Sequence, residues 1–153
     1  MMKLVTPNRM EASAQICACF ALRKTARAVT QFYDTALKPS GLRTTQYSLL
    51  VNVARDEPVG VSFLAEAMGM DQTTVTRNVR VLVSQGLLER VRGRDRRVRL
   101  LSQTDAGRMA MARAEPLWRA AQAEFLSKMG HSDWASLLVG MKTAQRASIA
   151  ETQ

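Results

Sequence analysis

The strongest constraint on the fold lies between residues 62 and 102. Two segments of helical period are separated by only three residues and followed by a short hairpin. Ser62 is a candidate cap for a helix over Phe63–Met68, with Glu66 near the position of a capping partner. Gly69-Met70-Asp71 turns the chain, and Asp71 is a plausible N-cap for a longer helix from Gln72 to Gln85, ended by Gly86. Leu87–Arg92 and Val98–Ser102 are β-leaning and flank Gly93-Arg94-Asp95-Arg96-Arg97, so they predict a hairpin with a basic tip. Two such short strands make a ribbon, not a layered sheet, so the molecule must be built from helices.

The flanking sequence agrees. Glu11–Lys38 has a helical pattern free of Gly and Pro, with Cys19, Leu22, Ala26, Val29 and Tyr33 on one stripe. Pro39-Ser40-Gly41 stops it. Thr44–Ala54 predicts a second helix with Tyr47, Leu50, Val51 and Ala54 inward, and residues 56–60 form a loop. A long helix is expected from about Thr104 to Met129, kinked or restarted at Pro116, and a last amphipathic one over Asp133–Ile149. The expected class is therefore mainly α with a small β-hairpin wing. Its parts are an N-terminal tail (1–10), an N-terminal helix (11–40), a central domain that includes the hairpin (41–103) and C-terminal helices (104–153).

Charge placement gives this frame a purpose. The 153 residues carry a formal +9. Between Gln72 and Arg108 stand nine arginines against three acids, a net +6, while all five lysines lie elsewhere. Arginine presents a planar donor fork suited to phosphate and to guanine edges. In the Gln72–Gln85 helix, Val75, Val79, Leu82 and Val83 fall within about 100° of arc. Thr73, Arg77, Arg80 and Ser84 lie opposite, with Thr74 and Thr76 on the flanks. One face anchors and the other presents hydroxyls and guanidinium groups, as a helix entering a major groove requires. The element order describes a winged helix-turn-helix. At the wing tip, Arg94, Arg96 and Arg97 are placed to straddle phosphates or enter a minor groove, and Asp95 to hold Arg97 in one orientation.

Other classes fit poorly. The longest charge-free runs, Ala12–Leu22 and Thr44–Ala54, are eleven residues each, where a membrane span needs about 18–20. Glu11 and Gln15 interrupt the only early apolar stretch, arguing against a signal peptide and for a reducing cytoplasm. Two cysteines and one histidine supply neither a disulfide scaffold nor a zinc finger, and no metal or cofactor is expected. No phosphate-binding glycine loop, nucleophile elbow or paired-carboxylate motif marks an enzyme. A non-specific architectural or RNA-binding basic protein is the alternative. The aromatic content of 5% gives it no stacking platform for single strands.

Several ordered motifs carry a family resemblance. Gly41–Leu50, Leu64–Met70, Thr74-Val75-Thr76-Arg77, Gly86–Arg90, Arg94-Asp95-Arg96-Arg97 and Leu101–Gly107 together resemble the MarR family of bacterial regulators. The chain has Asn78 where an apolar residue is common there, and Ser102-Gln103 before Thr104 in place of a tighter Leu-Thr. The resemblance implies a homodimeric transcriptional regulator, typically a repressor in stress responses, binding double-stranded DNA at a pseudo-palindromic operator, with 11–40 as the N-terminal dimerisation helix, 41–103 as the DNA-binding domain and 104–153 as the C-terminal dimerisation helices. In it Arg97 enters the minor groove, steadied by Asp95. It also implies release by a signal, for which two readings stay open. A phenolic-type small-molecule effector would bind between the dimer helices and the DNA-binding domain. Alternatively Cys19 senses organic hydroperoxide, because Cys19-Phe20-Ala21-Leu22 and its spacing to Thr30 and Tyr33 resemble the hydroperoxide-sensing branch, although Arg23 replaces its second tyrosine. Cys17 and Cys19, two positions apart on a helix, point about 160° apart and are poorly placed for an internal bridge.

Overall fold

The computed structural model describes residues 17–93 and 99–149. The expected tail and the wing tip, Arg94, Asp95, Arg96 and Arg97, lie outside the described residues. In order, the elements are α1 (Ala18–Leu37), a 3-10 turn (Lys38–Ser40), α2 (Thr44–Asp56), α3 (Val61–Met68), α4 (Gln72–Ser84), β1 (Leu88–Arg92), β2 (Arg99–Gln103), α5 (Asp105–Met129) and α6 (His131–Ser148).

Local chemistry sets most of the boundaries. α1 ends where Pro39 enters the 3-10 turn, and Gly41 takes the left-handed conformation at φ 78°. The α1 side chain of Asp34 accepts from the Thr44 N–H at 2.7 Å, so the first helix caps the second. Asp71 accepts from the Thr74 N–H at 2.8 Å, as its position before α4 predicts. Gly69, at φ 61°, ends α3 with its N–H on the Ala65 and Glu66 carbonyls, and this left-handed residue makes the three-residue turn feasible. Thr104 caps α5, accepting from the Gly107 N–H at 3.0 Å and donating to the Gly86 carbonyl at 2.6 Å. A Cβ on Gly107 would overlap the Leu87 carbonyl oxygen, so only glycine lets α5 leave the hairpin at this angle.

Tertiary contacts override the sequence expectation in four places. Ser62 is not the cap of α3; Gly60 holds that position without a side-chain bond. The preceding loop is fixed by a two-bond bridge between Val59 and Leu101 (3.0 and 2.8 Å), which adds a third short segment beside the hairpin. In α2, Tyr47 and Leu50 are buried as expected, but Val51 is 39% exposed and Ala54 only partly buried. Leu49 and Val53 take their places in the core, because α2 packs against β2 and α4 on that side as well as against α1 and α5. Of the two outcomes expected at Pro116, the new start is not found, and α5 runs through it. Pro116 lies on the exposed side, so the carbonyl left without an N–H partner faces water.

The fourth departure concerns α1. Within one chain the Cys19–Tyr33 stripe is buried only at its end, where Tyr33 and Leu37 meet the core. Cys19 and Ala26 are exposed, Phe20 and Leu22 are each 48% exposed, and Val29 is half-buried. α5 rises against the second half of α1, where Tyr33 donates to Gln122 Oε1 at 2.5 Å and Phe32 meets Phe125. α6 buries none of its residues fully, and Val139 (65%) is exposed. The core itself sits under the helix-turn-helix. It joins Leu37, Leu49, Leu50 and Leu64 to Val75 and Leu82 of α4 and to Leu88 and Leu101 of the hairpin.

Candidate nucleic-acid interface

α4 is held by its apolar face. Val75, Val79 and Leu82 are at most 1% exposed. With that side seated, Thr73, Arg77, Arg80 and Ser84 are exposed, and Thr74 and Thr76 lie half-buried on the flanks, as the helical spacing requires. Thr74 also closes the cap, its hydroxyl donating to Asp71 Oδ2 at 2.5 Å. Those bonds hold the Asp71 carboxyl below its ordinary value of 3.8, so the first turn of the helix carries a fixed negative charge. Asn78 is accommodated within α4, donating from Nδ2 to the Thr74 carbonyl at 3.0 Å.

The hairpin stands beside this helix. β1 and β2 pair antiparallel, with Leu88 opposite Gln103, Arg90 opposite Leu101 and Arg92 opposite Arg99. These six residues share one face of the ribbon. Its inner end, Leu88, Leu101 and Gln103, is buried; its outer end is three exposed arginines. The sequence alone marks Arg90, Arg92 and Arg99 only through the charge count. Strand register reveals them, since alternation puts Glu89 on the other face, opposite Ser102. A cleft of about 500 Å³ separates the hairpin from α4.

Arg108 belongs elsewhere despite its place in the basic window. It bonds Asp105 at 2.9 Å and the Gln103 carbonyl at 3.1 Å, and lies 3.6 Å from Glu57. Gln103, 3% exposed, donates from its backbone to Glu57 Oε2 at 2.6 Å and from Nε2 to the Leu50 carbonyl at 2.8 Å. The Gln103 that departs from a tighter Leu-Thr thus anchors the root of the wing to α2 and α5.

The residues considered for signalling are not gathered in one chain. Cys19 and Tyr33 are fourteen positions apart on α1, about 21 Å along its axis. Burial holds the Tyr33 hydroxyl above its ordinary value of 10.0, so it remains a donor, and it is spent on Gln122. Cys17 is not helical: it caps α1 in an extended conformation (φ −68°, ψ 112°), so the helical angle that argued against a bridge to Cys19 does not describe this pair. Both thiols are exposed. Along α1 and the link to α2 runs an open groove of about 700 Å³, lined by Arg27, Thr30, Asp34, Lys38 and Arg43 among others.

A model described as the MarR family matches residues 40–98. No curated protein matches the sequence. Among solved structures, the chain is similar to the M. tuberculosis transcriptional regulator MosR in complex with DNA, at 37% identity and a TM-score of 0.80, covering 90% of this chain and 99% of that one. It is also similar to CouR from Rhodococcus jostii RHA1 bound to p-coumaroyl-CoA (25% identity, TM-score 0.66, covering 90% of this chain and 94% of that one). The fold is shared as well with the PcaV transcriptional regulator from Streptomyces coelicolor in complex with its natural ligand (21% identity, TM-score 0.78, covering 97% and 100%). With the capped helix, the basic wing and more than a third of residues identical to MosR across nine-tenths of its length, this chain belongs to the MarR family of transcriptional regulators.

Proposed function

We propose that the chain is a cytoplasmic, homodimeric, sequence-specific DNA-binding regulator that represses transcription until a small signal releases it. The carrying observation is α4, whose β-branched side is sealed into the core while Thr73, Arg77 and Arg80 stand free on the opposite side. Residues 41–103 act as the reading module. Arg77 and Arg80 approach base edges in the major groove, and Thr76 and the Asp71-fixed first turn set the depth of entry. The wing tip, Arg94 to Arg97 with Asp95 as positioner, takes the adjacent minor groove.

Dimerisation is supported by the apolar surface that one chain leaves open on α1 and α6, at Phe20, Leu22, Leu138 and Val139. Two-fold pairing then sets two half-sites about one helical turn apart. For the signal, the groove beside α1 supports an anionic organic ligand, since Arg27, Lys38 and Arg43 line it. The exposure of Cys17 and Cys19 supports oxidation as the second reading.

The test uses a duplex selected from a random-sequence pool by binding to the full chain. Arg77→Ala should change which bases are enriched at one position per half-site and cost roughly tenfold or more in affinity. An unchanged selected sequence would overturn the role of α4 in reading. Hydroperoxide that dissociates the wild type and the Cys19→Ser variant equally would remove Cys19 as the sensor, and equal release in Cys17→Ser/Cys19→Ser would remove the thiol reading.

A further inference from the structure

The cleft between α4 and the hairpin is assembled from four parts of the chain: Val61 at the start of α3, Thr76 and Val79 of α4, Arg90 of β1, and Arg99 and Leu101 of β2. Its floor is apolar and sealed, with Val79 and Leu101 1% and 2% exposed. Its rim is cationic. Arg92 and Arg99 are direct cross-strand partners, with Arg90 next to them on the same face. Like charges placed opposite each other in a sheet repel. Among the described residues none of the three forms an ion pair, and Glu89, next to Arg90 in sequence, is on the other face. Clustered in this way, the three guanidinium groups gain from a counter-charge arriving from outside.

We propose that this cleft is a phosphate-binding site in which Arg90 and Arg99, with the Thr76 hydroxyl and with Arg92 at the rim, seat one backbone phosphate of the bound duplex. The proposal rests on the DNA-binding reading above. Two guanidinium forks from adjacent strands and a hydroxyl from a helix converge on one volume, which suits an anion with several oxygens. The low-polarity floor strengthens each of those bonds. A helix in the major groove and a wing in the adjacent minor groove stand on either side of one sugar-phosphate strand. That strand must run between them, through this cleft. A contact of this kind fixes register and the spacing of helix and wing without reading sequence.

The experiment measures binding of the full chain to two fluorescent duplexes, one selected from a random pool and one scrambled, across a salt titration. Arg90→Ala/Arg99→Ala should weaken both by the same factor, about tenfold or more. It should also reduce the slope of log affinity against log salt by about 0.9, the value for one neutralised phosphate. Arg90→Lys/Arg99→Lys keeps the charge and should keep the slope while losing affinity on both duplexes. Thr76→Val should weaken both equally and less. An unchanged slope and affinity in the double-alanine variant, or a loss confined to the selected duplex, overturns the proposal. Inorganic phosphate replacing chloride at fixed ionic strength should compete for the same site, weakening duplex binding by the wild type and not by the double-alanine variant. An effect equal in the two proteins would overturn the assignment of the cleft. If the wild type binds the two duplexes equally, the sequence-reading account fails, and the slope comparison still decides the cleft.

Discussion

Asp71 and Gly107 each carry a consequence out of proportion to their size. Asp71 satisfies the first turn of α4 through Thr74, with its carboxyl held below 3.8 by those hydrogen bonds. A depressed folded-state value means the contribution is complete above the ordinary aspartate range and fades as pH falls through the lowered value. The melting-temperature gap between wild type and Asp71→Ala should therefore be open at pH 7 and narrow toward pH 3; a gap independent of pH would contradict the cap. Gly107 gives a sharper sign test. Helix propensity alone favours Gly107→Ala by about 1 kcal/mol, whereas a Cβ driven into the Leu87 carbonyl predicts destabilisation on the order of 3 kcal/mol in chemical denaturation. A stabilised variant would mean that α5 can leave the hairpin another way. Asp71 was legible in the sequence because a cap bonds within three residues of itself. Gln103 was not, since its partners Glu57 and Leu50 lie 46 and 53 positions away.

Among elements, α4 was the most readable and α2 the least. The apolar arc of α4 is narrow and its opposite face is polar apart from the exposed Val81, so periodicity alone orients it. α2 carries Leu49, Leu50, Val51 and Val53 in succession, and hydrophobicity cannot choose among them. Its buried side follows from neighbours on several flanks. The wing shows a related limit: its charge was visible in composition, but which arginines share a face depended on the register of Leu88 with Gln103. α1 shows the opposite case, an apolar stripe that one chain covers only at Tyr33 and Leu37. If a second copy covers the rest, Leu22→Ala/Val29→Ala removes two side chains of that stripe, each worth roughly 1.5–3 kcal/mol when fully buried. The dimer dissociation constant, by sedimentation equilibrium, should rise by a hundredfold or more, about 1.4 kcal/mol per decade. A wild-type chain that sediments as a monomer at micromolar concentration would refute the assignment of this face.

For the whole molecule, the wing root is tied to both neighbouring helices. Glu57 at the end of α2, Gln103 at the end of β2 and Arg108 in α5 form one hydrogen-bonded junction. The junction links α5 to the root of the wing through hydrogen bonds, not through packing alone. Glu57→Gln weakens the ion pair at this junction while retaining an acceptor; Gln103→Leu removes the Leu50 contact altogether. The second change should weaken operator binding several-fold, with the dimer intact by sedimentation; unaltered binding would show that the wing does not depend on this root. The central claim is that two copies, paired through the terminal helices, present two arginine-bearing helices to one duplex. The most direct measurement is a stoichiometric titration of the full chain against a selected duplex and its scrambled counterpart at physiological salt. The account predicts two chains per selected duplex, bound at least about a thousandfold more tightly than the scrambled one, and a large loss when one half-site is deleted. Equal affinity for both duplexes, or one chain per site with no penalty for the missing half-site, would contradict it.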